Sequence, residues 1–250
     1  MSAKSLLLWG LHTVEAALRL APGDALELWL REDLAEEEAG GLIALAGAAG
    51  VKPQRVNRAT LDRLSGNAVH QGVLLRRRLP TGPDLPALLA GLDPAAAPMV
   101  LVLDQIQDPH NLGACLRVAD GAGARAVVVT RDRSASLTPT VAKVASGAID
   151  SVPLVAVTNL ARALEAIKAA GLWVIGASHD ASDSLYSADL ARPLALVLGA
   201  EGRGLRRLTR AHCDGLIGIP MYGRGASLNL STAAAVCLFE ARRQREHAGG

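Results

Sequence analysis

Beyond residue 98 the chain returns six times to a short, nearly unbroken aliphatic run: residues 100–103, 126–129, 152–155, 172–175, 194–198 and 216–219. Each run suits the length of a strand, and each is followed by enough sequence for a helix. A strand with one face in water alternates apolar and polar residues. These runs do not alternate, so both of their faces must be covered. Strands of that kind, separated by helices, predict an α/β fold with a parallel sheet. Such sheets place ligands beyond the carboxyl ends of their strands, so the loops after the runs are the places to look for function.

The N-terminal part is built differently. Apolar runs at 6–8, 26–30 and 73–75 read as strands, and residues 14–20 and 34–49 have helical spacing. This predicts a small α/β unit over residues 1–78, ending at Arg76, Arg77 and Arg78. Residues 79–98 hold five prolines in twenty, which predicts a Pro-rich linker over 79–97. The third segment, 98–250, carries the aliphatic runs. Half of the 250 residues are apolar but only six are aromatic, so the core has to be assembled from Leu, Val and Ala.

No apolar run reaches the roughly 18 to 20 residues that span a bilayer. The start, MSAKSLLLWGLH, lacks the small-residue cleavage site of a signal peptide, so the expectation is a cytoplasmic chain outside any membrane. Cys115, Cys213 and Cys237 are too widely spaced for a zinc motif and odd in number. They are expected to be buried thiols, with no metal bound. The formal net charge is +2, a weak argument for a nucleic-acid partner. Of 26 basic residues only four are Lys, an arginine bias that suits phosphate but that a GC-rich coding bias also produces.

Three loops hold more hydrogen-bonding groups than a connector requires. In the first, DPHNLG, Asn111 stands where an N-cap would close a helix starting at Leu112. Arg117 lies further along that helix, either as a solvated residue or as a functional cation. In the second, GAEGRG (199–204) follows a strand, its glycines allowing close backbone approach and Glu201 standing among them. The spacing is GxxGxG, unlike the GxGxxG dinucleotide fingerprint, which argues against a nicotinamide dehydrogenase. In the third, a Pro/Gly loop leads to Ser227, Asn229 and Ser231 at a helix start, where one capping residue would suffice.

Taken in order, NxGxxxR (111–117), GxEGxG (199–204) and IPMxGxxxSLNxS (219–231) resemble the three motifs of the SpoU (TrmH-type) RNA 2′-O-ribose methyltransferases. DRSASLTPTVAKVASGA, WGLHTVEAAL and AVHQGVLLR extend the resemblance over the whole chain, toward members that act on a guanosine of bacterial 23S ribosomal RNA. The resemblance implies a SPOUT-type α/β knot, with the C-terminal segment threaded as a trefoil, preceded by an L30e-like RNA-binding domain. It implies S-adenosylmethionine as cofactor, held near Gly199, Ile219 and Leu228, and a homodimer whose sites borrow from the partner. Arg117, Asn111, Glu201, Ser227 and Asn229 would carry the catalytic roles. Arg203, Arg206, Arg207 and Arg224 would follow the RNA backbone. An adenosine of ribosomal RNA, a transfer RNA nucleotide, or non-catalytic binding during ribosome assembly stand as the alternatives.

Overall fold

The computed structural model of the chain describes residues 5–248. Along it lie β1 (Ser5–Trp9), α1 (Leu11–Leu20), β2 (Ala25–Arg31), α2 (Glu36–Ala48), β3 (Gln54–Val56), α3 (Arg58–Ser65) and β4 (Val73–Arg78). Next come α4 (Leu85–Ala90), β5 (Met99–Asp104), α5 (Pro109–Gly121), β6 (Ala126–Thr130), α6 (Pro139–Ala145) and α7 (Ala148–Ser151). The remainder is β7 (Leu154–Val157), α8 (Leu160–Ala169), β8 (Trp173–Ala177), β9 (Asp183–Ser184), β10 (Leu194–Gly199), α9 (Arg207–Ala211), β11 (Gly215–Gly218) and α10 (Leu230–Ala248). Two compact units result. The first comprises the residues up to Thr81 together with Ser136–Ser151; the second comprises Gly82–Ala135 and the residues from Val152 onward.

In the first unit a four-stranded sheet runs in the order β1-β4-β2-β3. Its pairs are antiparallel except for β2 with β3. Leu6, Leu8, Leu28, Leu30, Leu74 and Leu75 are buried there. So is Arg77, only 1% exposed. Its guanidinium donates to the Asp150 carboxylate through two nitrogens, at 2.8 and 2.7 Å, and reaches Asp24 at 3.1 Å. A buried cation needs such partners, because desolvation otherwise outweighs the packing it gains. Asp150 sits on α7, so this clamp fixes α6 and α7 to the first unit. Gly147 supports the same docking: a Cβ there would stand 3.2 to 3.3 Å from Leu20 and Ala16 side-chain atoms.

The compact units differ from the expected segments, bounded at 78 and 98, in two respects. Residues 136–151 leave the C-terminal segment for the first unit, through a charge interaction that aliphatic patterning does not register. Residues 79–97 are more than a linker. Asp84 caps α4 by accepting from Ala87 N–H, and Leu85 and Leu88 enter the core of the second unit. A Cβ on Gly82 would come within 2.6 Å of the Leu154 carbonyl, so the chain runs close along β7.

The second unit is the expected parallel sheet, seven strands in the order β7-β6-β5-β10-β8-β11-β9. Every pairing in it is parallel. All residues of β5 and β6 are buried. Val100 and Val102 pack with α4 and α8 residues such as Leu85, Leu160 and Ile167. Period-two alternation turns Leu101 and Leu103 to the other face, and α10 packs on β10 and on α5. The strand expected at 152–155 begins two residues later, after Pro153, which cannot donate to the ladder. The short strands β3 and β9 had no clear apolar signal. Among the described residues the three cysteines are free, and no helix is long and apolar enough to cross a membrane. Burial pushes the Cys115 and Cys237 thiols up to about 12 and Cys213 to about 11.

Replacing Asp150 by Ala strands the buried Arg77 cation and is expected to cost about 3 kcal/mol. Urea denaturation measures this; a loss below about 1 kcal/mol would contradict the clamp.

Candidate active site

The helix after β5 starts earlier than its apolar residues suggest. Asp108 caps α5 by accepting from His110 N–H at 2.9 Å, and Pro109 occupies the first turn. Asp followed by Pro is a strong start signal. Asn111, expected as the cap, therefore lies inside the first turn, only 8% exposed, with its amide free for other work. Its Nδ2 donates to Glu201 Oε2 at 3.0 Å, and its Oδ1 accepts from Asn229 Nδ2, also at 3.0 Å. Asn229 in turn accepts from Ser231 N–H at 2.9 Å and from Ser231 Oγ at 2.7 Å, at the head of α10. One amide thus joins all three loops.

Glu201 can reach Asn111 because the loop that carries it is folded tightly. Gly204 N–H donates to the Ala200 carbonyl at 2.8 Å, closing residues 200–204 on themselves. A Cβ on Gly199 would lie 1.9 Å from the Gly204 carbonyl carbon, so nothing larger than glycine fits there. Gly202 and Gly204 take left-handed backbone, at φ +75° and +63°.

Beside this connection opens a cavity of about 380 Å³. Gly199, Glu201, Ile219, Ser227 and Leu228 line it, so five of the residues expected from sequence meet at one site. The walls are largely apolar, with Leu198, Met221, Leu230 and Ala233 among them. Ser178 and His179 also line it and were missed, although they too follow a parallel strand, β8, at its carboxyl end. Arg210 and Ser178 hold the Asp180 carboxyl well below the carboxylate range, which tethers this turn to α9.

Other expected residues do not join the cavity. Arg117 is exposed on α5 and makes no hydrogen bond among the described residues. Arg203, Arg207 and Arg224 are likewise exposed. Arg206 is exposed too, and it is also anchored. Its Nε donates to the buried Asp104 carboxylate at 2.7 Å, its backbone N–H donates at 3.2 Å, and Thr209 Oγ1 completes the set at 2.6 Å. Among the described residues, no group of three or more His, Cys, Asp or Glu is arranged to hold a metal ion.

Comparison with known proteins fits this geometry. Residues 98–239 match the model of the SpoU rRNA Methylase family, and residues 7–80 match that of RNA 2′-O ribose methyltransferase substrate binding. The chain is 47% identical over 242 residues to the 23S rRNA (guanosine-2′-O-)-methyltransferase RlmB of Pectobacterium atrosepticum, covering 96% of this chain and 98% of that protein. Its fold is similar to that of the SpoU methyltransferase AviRb from Streptomyces viridochromogenes, with a TM-score of 0.82 at 22% identity, covering 98% of this chain and 91% of that one. The AdoMet-bound rRNA methyltransferase from Sinorhizobium meliloti superposes with a TM-score of 0.79 at 26% identity, covering 96% and 87%.

Asn111→Asp would set a carboxylate against Glu201 in place of a donor. It is expected to lower stability by about 1 to 3 kcal/mol, read by chemical denaturation near neutral pH. Wild-type stability would show that the three loops are not held this way.

Proposed function

The chain belongs to the SpoU rRNA methylase family, and from that premise we propose that it methylates the ribose 2′-hydroxyl of one guanosine in 23S ribosomal RNA, using S-adenosylmethionine. The observation that carries the reading is the cavity whose lining loops are joined through Asn111. Its volume lies in the usual range for small-molecule sites, roughly 300 to 1,000 Å³. The apolar walls suit an adenine, and the glycine loop exposes backbone groups for the rest of the molecule. Gly199, Ile219 and Leu228 are the residues that hold it.

When bound, S-adenosylmethionine supplies a methyl group already activated on a sulfonium. What remains for the protein is alignment of the incoming oxygen and the handling of one proton. Asn111 and Glu201 fix each other's orientation, and Asn229 carries that order to the head of α10. The Ser227 hydroxyl, exposed at the cavity, holds the target nucleotide. Arg117 acts as a charge. A guanidinium keeps its proton at physiological pH and is a poor base, so its part is to stabilise the developing alkoxide and grip the adjoining phosphate. The proton leaves to phosphate or water.

Arg117 lies outside the cavity lining of its own chain, which supports a homodimer in which it serves the partner's site. Phe239, half exposed on α10, gives such an interface an apolar contact. The reading includes a trefoil knot, as the family likeness implies; Ile219, Met221, Ala226, Ser227 and Leu228 line the cavity beside the 199–204 loop before α10 packs on α5. It also includes RNA binding by the first unit, contacts from Arg203, Arg207 and Arg224 to the RNA backbone, and a cytoplasmic site of action.

The test is methyl transfer from labelled S-adenosylmethionine to unmodified 23S rRNA, with the modified position mapped. Transfer to one guanosine is expected, with Arg117→Ala losing about 100-fold or more in kcat. Arg117→Lys should lose most activity as well, because the planar fork matters beyond its charge. Near-wild-type turnover of the Lys variant would overturn the role given to Arg117, and transfer to an adenosine would overturn the substrate.

A further inference from the structure

The proposed function leaves a second cavity unused. It too measures about 380 Å³ and opens at the carboxyl ends of β5, β6 and β7. The sheet order places it beside the first. Gly199, which lines the first cavity, pairs in the sheet with Asp104, and the next residue, Gln105, lines the second. Strands lie about 5 Å apart, so both cavities sit on one edge of the sheet within reach of neighbouring nucleotides.

The walls of this cavity are rich in donors. Arg133 and Arg206 bring guanidinium groups, Gln105 and Asn159 bring amides, and Thr158 brings a hydroxyl. Asp132 is the one carboxylate in the lining. Arg206 is held in place by Asp104, so part of the ordering entropy of a contact is already spent. The side chains of Gln105, Arg133 and Thr158 make no hydrogen bond among the described residues, so their capacity is open. Gln105 and Arg133 also take left-handed backbone, at φ +65° and +59°, although neither is glycine.

This mixture fits a nucleotide better than a bare anion or an apolar ligand. Guanidinium forks match phosphate oxygens in pairs. An amide both gives and accepts, and a carboxylate accepts from the N–H groups of a base edge, which is how single-stranded RNA is read. We propose that this cavity is a subsite for a nucleotide neighbouring the acceptor ribose, and that it contributes to the choice of target. The proposal rests on the RNA methyltransferase reading above.

The test compares wild type with Arg133→Asn and Thr158→Val on an unmodified 23S rRNA fragment. Asn tolerates the left-handed backbone at 133, and both positions are exposed, so the variants should fold. Each is expected to raise the KM for RNA about tenfold, with kcat at saturating RNA moved far less. Affinity for S-adenosylmethionine, measured by calorimetry, should not change, and Arg133→Lys should recover part of the loss. Unchanged KM in both variants, while wild type methylates the fragment, would overturn the subsite and leave the enzyme reading intact. A loss of cofactor affinity would overturn it too, since the cavity would then belong to the first site. A wild-type protein that methylates no RNA would overturn the reading beneath and the subsite with it.

Discussion

A buried asparagine amide can satisfy two partners at once, and the second unit depends on Asn111 doing so. Its carbonyl oxygen accepts a hydrogen bond from Asn229 and its nitrogen donates one to Glu201. The three residues come from chain positions separated by 90 and 118 residues. Neither Ala nor Asp could serve both partners: one makes no hydrogen bond and the other only accepts. Asp108 caps α5, which leaves the Asn111 oxygen to accept from Asn229.

The parallel sheet brings these loops near one another before any side chain is placed. β10 lies between β5 and β8, with Gly199 against Asp104 at the carboxyl end. β11, which leads to the third loop, lies just beyond β8, so all three loops leave one edge of the sheet, at the place where such sheets hold ligands. Asp104 then does at the base of the second loop what Asn111 does at its tip. It is buried and takes hydrogen bonds from Arg206 and Thr209, fixing where the chain turns into α9. The two cavities fall on either side of this shared scaffold.

The parallel sheet and the family were legible because both rest on local text: unbroken aliphatic runs, and three short motifs at strand ends. The lining residues Gly199, Ile219, Ser227 and Leu228 followed from the same logic. What could not be read was set by long-range contacts. Arg77 stands in a run of three arginines that reads as a charged surface, yet it is the buried cation that carries α6 and α7 into the first unit. Asn111 was misplaced by one helical turn, since a cap and a first-turn residue differ only in where the helix starts. That Arg206 is anchored by Asp104, 102 residues away, could not be read from anything near it in sequence.

The central claim is that the three loops close into one cleft for S-adenosylmethionine. The most direct measurement is calorimetric titration of the purified protein with that molecule, wild type beside Gly199→Ala. A methyl at position 199 has no room against Gly204, so the 199–204 loop must open. The account expects saturable binding by the wild type and a loss of about tenfold or more in the variant, with the fold retained in both. Equal affinity in the two proteins would contradict it.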